Sequence, residues 1–388
     1  MYKVKLYNKI SDNGLSHFPK DEFSYSSDMT DYEGILVRSA NLDIDEISKD
    51  TLAIARAGAG VNNIPVDAAT QQGIVVFNTP GANANAVKEM VVAALYMSSR
   101  NVSNAIAWMD TIKDRGDEIP KLVEEGKAQF VGPEVMGKAI GIIGLGAVGV
   151  LVANVAVNLG LTVYGYDPYL LIDRALELNP EVIVLKDINE LYSKSDYITI
   201  HIPLLKDTHS FINKTAIEKM KEGVRILNFA RGELVDNLDI LEAIKTEKVS
   251  CYITDFPNKH LIGQKGVVNI PHLGASTPES EENCAEMAVQ ELVNYLKTAS
   301  IVNSVNFPPL ELPGSFTARI SIFSKENLLS VITEMASEEG YIVENTASSI
   351  NKATSITYSV IDLNKKPEQD FIERLGGFNS IIRIRVIE

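Results

Sequence analysis

The stretch AIGIIGLGAVG at residues 139–149 decides the fold of the largest part of the chain. An apolar run typical of a buried strand leads into a Gly-x-Gly-x-x-Gly pattern, and an apolar run with helical spacing follows. A second strand-like run, TVYGYD at residues 162–167, ends on an acidic side chain roughly 20 residues after the glycines. This order predicts a β-α-β unit that binds a dinucleotide. The alternative is a glycine-rich turn in an ordinary α/β protein.

Each glycine of the pattern has a separate physical task. Gly144 permits a tight turn out of the strand, Gly146 lets a pyrophosphate approach the backbone, and Gly149 lets the helix pack closely on the sheet. The N–H groups and the positive dipole at the helix start would hold the diphosphate. Asp167 would bind a ribose diol and repel a 2′-phosphate, so the pattern favours NAD over NADP.

Composition limits the remaining possibilities. The 388 residues allow two or three domains, and a hydrophobic content of 45% supports buried cores. The formal charge of −15 argues against nucleic acid or an anionic membrane as a partner. The two cysteines, Cys251 and Cys284, have no disulfide or zinc spacing, and no metal site is expected. With no apolar signal segment at the N-terminus, these features predict a cytoplasmic protein.

Strand-like and helical runs alternate through most of the chain, which predicts two doubly wound parallel-sheet domains, Rossmann-like or flavodoxin-like. A proline-rich linker at 303–315 precedes a smaller domain at 316–388, whose βαββαβ order predicts a ferredoxin-like fold. Besides the nucleotide-binding unit, strands are predicted at 2–8, 35–38, 53–56, 74–77, 197–203, 224–230, 250–256 and 267–271, and helices at 43–51, 65–72, 83–101, 188–195, 213–221, 237–247 and 280–298. In the small domain, strands are predicted at 318–323, 341–349, 354–362 and 380–387, and helices at 326–338 and 367–375.

Ligands of an open parallel sheet bind at the carboxyl ends of its strands, and these ends carry His201, Arg231, Asp255 and His272. Arginine can hold a carboxylate through two hydrogen bonds, and an imidazole can exchange a proton near neutral pH. These are the requirements for hydride transfer to or from a 2-hydroxy acid. A structural role for either histidine, or a surface ion pair for Arg231, is the alternative.

Five motifs in this order, GLGAVG, DPY at 167–169, HIPL at 201–204, NFARG at 228–232 and PHLGAST at 271–277, resemble the D-isomer-specific 2-hydroxyacid dehydrogenases. The resemblance covers residues 1–302. It implies a substrate-binding domain formed by 1–98 and 277–302, an NAD-binding domain at 99–276, a carboxylate-binding Arg231 and a proton-transferring His272. The predicted NAD contacts are Gly144, Gly146, Ala147, Val148, Gly149, Asp167, Pro168, His201, Pro203, Thr208, Phe229, Ala230, Asp255 and Gly274.

The resemblance further implies NAD-dependent oxidation of D-3-phosphoglycerate to 3-phosphohydroxypyruvate, the first step of phosphorylated serine synthesis. The predicted substrate contacts are Arg38, Ser39, Arg56, Ala57, Gly58 and Lys88. Arg38 and Arg56 end predicted strands and could bind the phosphate, whereas a solvated or paired role is the alternative for all three bases. The rival functions are a glyoxylate or hydroxypyruvate reductase, another D-2-hydroxyacid dehydrogenase, or an NAD-sensing binding protein of the same fold.

Two features depart from the family pattern. The family places a glutamate between the arginine and the histidine, but this chain has Lys259 at or next to that position, with an uncertain role. The tail resembles the ACT regulatory domain, yet the turn before its first helix reads SKENLL at 324–329 and lacks the asparagine and proline-glycine turn of serine-sensing versions. We therefore expect a dimerisation or structural role for this domain, and a homodimer or homotetramer overall.

Overall fold

The computed structural model describes residues 1–352 and 354–388, and the chain divides into two compact units. The first unit contains Met1–Asn83 and Pro278–Glu388, and the second contains Ala84–Thr277. The domain boundaries predicted from the sequence lie at 98/99 and 276/277 instead. Within the described residues, no helix is long and apolar enough to cross a membrane.

The N-terminal part of the first unit is a five-stranded parallel sheet in the order β2-β1-β3-β4-β5. Its central strand, Gly34–Val37, is buried along its whole length, as expected for a parallel strand covered on both faces. The elements are β1 (Tyr2–Tyr7), α1 (Asp12–Leu15), β2 (Phe23–Ser26), β3 (Gly34–Val37), β4 (Ala53–Arg56), α2 (Val66–Gln71) and β5 (Val75–Phe77).

The helix predicted at 43–51 is wrong, because the segment forms only a short 3₁₀ turn at Ile44–Glu46. The Asp43 carboxylate accepts a hydrogen bond from the Asp45 N–H at 3.1 Å, and Ile47 is already extended. Further along, the Ser48 hydroxyl accepts from the Asp50 N–H at 3.3 Å. The Asp43 bond is an N-cap that a longer helix would also have, whereas the Ser48 bond takes an N–H group that a continuing helix would use.

The second unit contains a seven-stranded parallel sheet in the order β12-β11-β10-β9-β6-β7-β8. The strand order reverses beside β6, so the loop that follows β6 lies at the switch point where such sheets bind ligands. The elements are α3 (Ala84–Arg100), α4 (Val102–Ile112), α5 (Ile119–Gly126), β6 (Ala139–Ile143), α6 (Ala147–Asn158), β7 (Thr162–Tyr166), α7 (Ile172–Glu177), β8 (Ile183–Val184), α8 (Ile188–Lys194), β9 (Tyr197–Ile200), α9 (Lys214–Glu218), β10 (Val224–Asn228), α10 (Asn237–Lys245), β11 (Val249–Thr254) and β12 (Val267–Asn269).

The rest of the first unit is a long helix and a small antiparallel sheet in the order β14-β15-β13-β16. The βαββαβ order with this strand arrangement is ferredoxin-like. The predicted fold class, two parallel-sheet domains and a small C-terminal domain, is confirmed. The elements are α11 (Pro278–Thr298), β13 (Ala318–Ser324), α12 (Leu329–Glu338), β14 (Val343–Ile350), β15 (Thr357–Leu363), α13 (Gln369–Gly376) and β16 (Ile381–Ile387).

Both faces of the small sheet are covered. Helices α12 and α13 pack on one face, while Phe323 and Tyr358 of the other face join the core around α11. Phe307, in the segment at 303–315, stacks on Phe323 with ring centroids 3.9 Å apart. The neighbouring Asn306 accepts from the Val76 N–H at 2.9 Å. The predicted linker is therefore irregular in structure but firmly attached to the N-terminal sheet.

Candidate active site

The glycine-rich loop has the geometry that a bound diphosphate requires. Gly144 has a φ of 92°, and its N–H donates to the carbonyl oxygen of Tyr166 at 2.9 Å. A Cβ at Gly149 would lie 1.9 Å from the Gly144 carbonyl oxygen, so only glycine lets α6 approach so closely. A Cβ at Gly146 would meet no atom within 4 Å. Open space thus adjoins the N-terminal end of α6, where N–H groups and the helix dipole favour an anion.

Asp167 follows β7 at the same edge of the sheet. Its Oδ2 accepts a hydrogen bond from the Leu145 N–H and its Oδ1 accepts one from the Tyr169 N–H, both at 2.9 Å. The carboxylate is half-buried, so each oxygen retains acceptor capacity for a ribose hydroxyl. Pro168, next to it, is exposed. The open space at Gly146, the helix N-terminus and this fixed carboxylate fit NAD.

His201 follows β9, beside the glycine-rich loop. Its Nε2 lies 2.9 Å from the buried Thr199 hydroxyl, and burial lowers the pKa of His201 to about 3. The ring is therefore neutral at physiological pH, which suits a structural or cofactor-lining role better than proton transfer. In the following loop, the Thr208 hydroxyl donates to the Pro203 carbonyl oxygen at 2.7 Å and fixes the path of the chain.

Arg231 lies in the loop after β10, and its side chain is exposed. The loop is held from inside, because the buried Asn228 side chain donates to the Arg231 carbonyl oxygen at 2.8 Å and accepts from the Ala230 N–H at 3.2 Å. The Arg231 Nη1 donates to the Ala230 carbonyl oxygen at 2.6 Å. Phe229 is buried beneath the loop. The guanidinium thus stands on a rigid strand end with further N–H groups for an anion.

His272 lies in the loop after β12 with a φ of 55°, a left-handed conformation that is uncommon for a residue other than glycine. Its ring contacts Phe256 with centroids 5.0 Å apart. Phe256 also packs on the Arg231 loop, since a Cβ at Gly232 would lie 3.0 Å from the Phe256 Cβ. Phe256, which the sequence analysis missed, therefore brings the predicted Arg231 and His272 loops together.

Asp255 directly follows β11 and is almost fully buried. Its Oδ1 accepts from the Leu273 N–H and its Oδ2 from the Gly274 N–H, both at 2.7 Å. Burial raises the pKa of Asp255, and these hydrogen bonds oppose the rise. Lys259 lies exposed in the turn that follows.

On the first unit, Arg38 follows β3 and pairs with Glu281 of α11, with 2.5 Å between Nη2 and Oε1. The loop after Arg38 is held by Asn8, whose Oδ1 accepts from the Ser39 N–H at 3.1 Å and from the Ala40 N–H at 2.6 Å. Asn8 and Glu281 were not predicted, because their partners are remote in sequence.

Arg56 ends β4 in the same unit. Its guanidinium folds over Gly58, where a Cβ would lie 2.5 Å from the Arg56 Nη1. The Ala57 N–H donates to the Val37 carbonyl oxygen at 2.8 Å and continues the sheet. Burial raises the pKa of Cys284 on α11, and both Arg56 and Arg38 act against this rise. The two arginines therefore lie near the N-terminal half of α11.

Lys88, the remaining predicted substrate contact, belongs to the second unit. Its ammonium group donates to the Asn85 side-chain oxygen at 2.6 Å, one turn earlier on α3, and lies 3.8 Å from Glu89. The hydrogen bond to Asn85 thus explains the position of the Lys88 side chain without a bound substrate.

A classical nucleotide-binding sheet with an acid after its second strand defines a dinucleotide-binding α/β protein. Residues 92–274 match the family described as D-isomer specific 2-hydroxyacid dehydrogenase, NAD binding domain. Residues 92–274 therefore belong to this family and form its NAD-binding domain.

Curated relatives extend the similarity beyond that domain. D-3-phosphoglycerate dehydrogenase of Archaeoglobus fulgidus is 37% identical over 298 residues, which are 74% of this chain and 53% of that protein. The enzyme of the same name from Bacillus subtilis is 29% identical over 383 residues, covering 91% of this chain and 70% of the relative. The match thus covers only about half the length of the archaeal protein, as it does for the human one at 55%.

Solved structures show the same fold. NAD⁺-bound 3-phosphoglycerate dehydrogenase of Entamoeba histolytica superposes with a TM-score of 0.62 at 25% identity, covering 79% of this chain and 98% of that one. A D-2-hydroxyisocaproate dehydrogenase gives a TM-score of 0.65 at 22% identity, covering 78% and 99%, and supports the fold alone.

Proposed function

We propose that this protein catalyses the NAD-dependent oxidation of D-3-phosphoglycerate to 3-phosphohydroxypyruvate, which opens the phosphorylated route to serine. The observation that carries the proposal is that Phe256 contacts the His272 ring and also lies against Gly232 in the Arg231 loop, where an added Cβ would meet the Phe256 Cβ at 3.0 Å. A fixed cation after β10 and an imidazole after β12, at the same edge of one sheet, suit a 2-hydroxy acid. The curated relatives described above, all named D-3-phosphoglycerate dehydrogenase, support this substrate.

Two side chains perform the chemistry in this proposal. Arg231 binds the substrate carboxylate through its guanidinium and keeps the C2 carbon in one orientation. His272 accepts the proton of the C2 hydroxyl as the C–H bond breaks. NAD⁺, held by the loop at Gly144–Gly149 and by Asp167, supplies the hydride acceptor when it is bound. His201 stays neutral and lines the cofactor site.

Arg38 and Arg56 bind the substrate phosphate in this proposal. Arg38 follows β3 and Arg56 ends β4 in one parallel sheet, and both influence the thiol of Cys284, so two positive charges lie near one helix. The Glu281 carboxylate already forms an ion pair with the Arg38 guanidinium, so an incoming phosphate would have to compete with this carboxylate. Ser39, Ala57 and Gly58 supply the loop backbone around the two arginines. A role for Lys259, at or next to the position of the family glutamate, and for Lys88 stays a prediction. Neither lysine is given a task in the proposed reaction.

We propose that the C-terminal domain is an ACT-like domain with a structural or dimerising role. Its ferredoxin-like strand order supports this assignment. Serine binding there is the less favoured alternative, because the turn before α12 lacks the expected residues. The free cysteines fit the cytoplasmic location that we also propose, and a homodimer or homotetramer stays our expectation for the assembly.

An absorbance assay of NADH formation tests the proposed reaction. The full-length chain is supplied with NAD⁺ and, in turn, 3-phosphoglycerate, D-glycerate and D-2-hydroxyglutarate, with and without serine. We expect kcat/KM for 3-phosphoglycerate to exceed the values for the other two substrates by about 100-fold or more. Arg38→Ala and Arg56→Ala should each raise KM for 3-phosphoglycerate by about 10-fold or more and spare D-glycerate, since each removes a charged hydrogen bond to the phosphate.

Equal turnover of all three substrates would contradict the proposed substrate and point to a reductase of plain 2-hydroxy acids. NADH binding without turnover of any of them would point to a nucleotide-sensing protein instead.

A further inference from the structure

The loop that carries Arg38 is held from two sides by asparagine side chains. The Asn8 Oδ1 accepts hydrogen bonds from the Ser39 N–H at 3.1 Å and from the Ala40 N–H at 2.6 Å. The Asn63 Nδ2 donates to the Ala40 carbonyl oxygen at 2.7 Å and to the Arg38 carbonyl oxygen at 3.4 Å. Asn8 therefore binds N–H groups of this loop, and Asn63 binds its carbonyl groups. We call these two side chains the asparagine clamp.

The asparagine clamp joins three neighbouring strand ends of the N-terminal sheet. Asn8 directly follows β1, and Arg38 directly follows β3, which pairs with β1. Asn63 lies in the loop after β4, which pairs with β3 on its other side. Ligands of a parallel sheet bind at this carboxyl edge. Bonds from the loops on both sides thus fix the backbone from which the Arg38 side chain extends.

Both asparagines are in states that lower the stability of the fold. Asn8 has a φ of 69°, a left-handed conformation that asparagine tolerates better than most residues do. Asn63 is 8% exposed, and its Oδ1 has no hydrogen-bond partner among the described residues, which is unfavourable for a buried amide oxygen. Their bonds to the Arg38 loop, rather than a gain in stability from the residues themselves, account for asparagine at these two positions.

We propose that Asn8 and Asn63 are positioning residues that aim the Arg38 guanidinium at the phosphate of the substrate. This role rests on the proposed function, in which Arg38 binds that phosphate. The Arg38 side chain is 40% exposed and extends toward α11, where it pairs with Glu281. Because so exposed a side chain is little restricted by packing, its direction depends on the backbone that the clamp holds. Neither asparagine contacts the phosphate in this proposal.

The first test removes the acceptor of Asn8 in the full-length chain. Asn8→Gly is informative because glycine adopts a positive φ readily, so the main loss is the side-chain oxygen. We expect KM for 3-phosphoglycerate to rise by about 3- to 10-fold, since a misdirected guanidinium forms poorer hydrogen bonds, and kcat to stay within about 2-fold. Asn8→Asp keeps an acceptor oxygen and should hold KM within about 3-fold of the wild-type value. Neither variant should change kcat/KM for D-glycerate, which has no phosphate.

The second test asks whether the clamp acts through Arg38. Asn63→Ala removes the bonds on the other side of the loop and should raise KM for 3-phosphoglycerate by a similar factor. In an Arg38→Ala background, neither Asn8→Gly nor Asn63→Ala should raise KM further, because the group that they position is gone. A further rise of the same size in that background would contradict the proposed role.

Asn154→Ala is the matched control. Asn154 lies on α6 in the second unit, donates to the Glu177 carbonyl oxygen at 2.8 Å and accepts from the Asn179 N–H at 2.7 Å. This variant loses the same kinds of bond between a side chain and a loop. It should lower the melting temperature and leave KM for 3-phosphoglycerate unchanged.

A ³¹P NMR titration with inorganic phosphate gives a readout that does not depend on turnover. The protein is first saturated with NADH, so that phosphate does not enter the diphosphate site. Asn8→Gly and Asn63→Ala should raise the Kd for phosphate by about 3- to 10-fold, as for KM, whereas Asn8→Asp and Asn154→Ala should not.

The outcomes separate the clamp from the proposed reaction. If Arg38→Ala raised KM and the phosphate Kd but Asn8→Gly and Asn63→Ala raised neither, the positioning role would be overturned and the reaction would stand. Unchanged phosphate binding in Arg38→Ala would overturn the role as well. Weaker phosphate binding in Asn8→Gly, in a protein that does not oxidise 3-phosphoglycerate, would uphold the clamp and defeat the reaction.

Discussion

Glu291 shows at the residue scale how one buried carboxyl group makes stability depend on pH. It lies on α11 and is 7% exposed. One of its oxygens accepts from the Asn303 side chain at 2.7 Å, while Oε2 has no hydrogen-bond partner among the described residues. Burial raises the pKa of Glu291 to about 8. The group is therefore largely protonated in the folded protein at neutral pH.

The direction of the pH dependence follows from the difference between the pKa of Glu291 in the folded chain and its pKa in the unfolded chain. In the unfolded chain the pKa of Glu291 is near the ordinary value of 4.5, whereas the folded chain keeps the proton until about pH 8. Glu291 consequently lowers the stability progressively between these values as the pH rises, and its effect is constant above pH 8. Glu291→Gln should remove this loss. Its gain in unfolding free energy should be small at pH 5 and reach roughly 4 kcal/mol near pH 8.

Thermal melts of wild type and Glu291→Gln at pH 5, 7 and 8.5 measure this effect. The exposed Glu282 on the same helix provides the control, because Glu282→Gln should change the melting temperature equally little at every pH. A Glu291→Gln gain that is the same at pH 5 and pH 8.5 would exclude a buried protonation as its cause.

At the scale of elements, the sequence predicted what local patterns specify. Strands β6 and β7 with helix α6 were clear, because apolar periodicity, glycines and a terminal acid agree there. The segment at 43–51 failed, since local side-chain bonds replace the helix. Arg231 and His272 were found because ligands of an open parallel sheet bind at the carboxyl ends of its strands. Phe256, which contacts the His272 ring, was not found, nor were Asn8 and Glu281, which contact the Arg38 loop, because only the folded chain brings these residues near their partners.

Alanine substitutions of two glycines at the start of α6 should affect NADH binding and protein stability differently. Gly149→Ala places a Cβ 1.9 Å from the Gly144 carbonyl oxygen, so the helix and the glycine-rich loop must move apart. We expect a loss of about 2–3 kcal/mol in stability from this overpacking and at least 10-fold weaker NADH binding. Gly146→Ala meets no protein atom within 4 Å and has an ordinary φ of −76°.

Gly146→Ala should therefore melt like the wild type and still lose NADH affinity, because its methyl group fills the space reserved for the diphosphate. NADH fluorescence titration and thermal melts distinguish the two variants. Full NADH affinity in Gly146→Ala would show that the diphosphate does not approach this position.

At the scale of the whole molecule, the small C-terminal domain is anchored to the rest of the first unit through arginines. Arg385 donates to the carbonyl oxygens of Tyr295, at 2.9 Å, and Leu296 in the last turns of α11. Arg319 donates to the Thr298 carbonyl oxygen at 2.8 Å. Guanidinium groups at this end satisfy terminal carbonyls and complement the helix dipole. Beneath them, the rings of Phe307, Phe323 and Tyr358 form one continuous core.

The anchoring makes the C-terminal domain necessary for the stability of the first unit. Arg385→Ala should lower that stability by about 2–3 kcal/mol, because it leaves helix-end carbonyls without a charged donor. A chain ending at residue 315 should melt still lower and aggregate, since Tyr295 and Phe307 become exposed. Differential scanning calorimetry measures both effects. Arg374→Ala, which removes only exposed ion pairs in the same domain, should change the melting temperature little. If Arg385→Ala and Arg374→Ala had equal melting temperatures, or if the shortened and full-length chains did, the C-terminal domain would not contribute to the stability of the first unit.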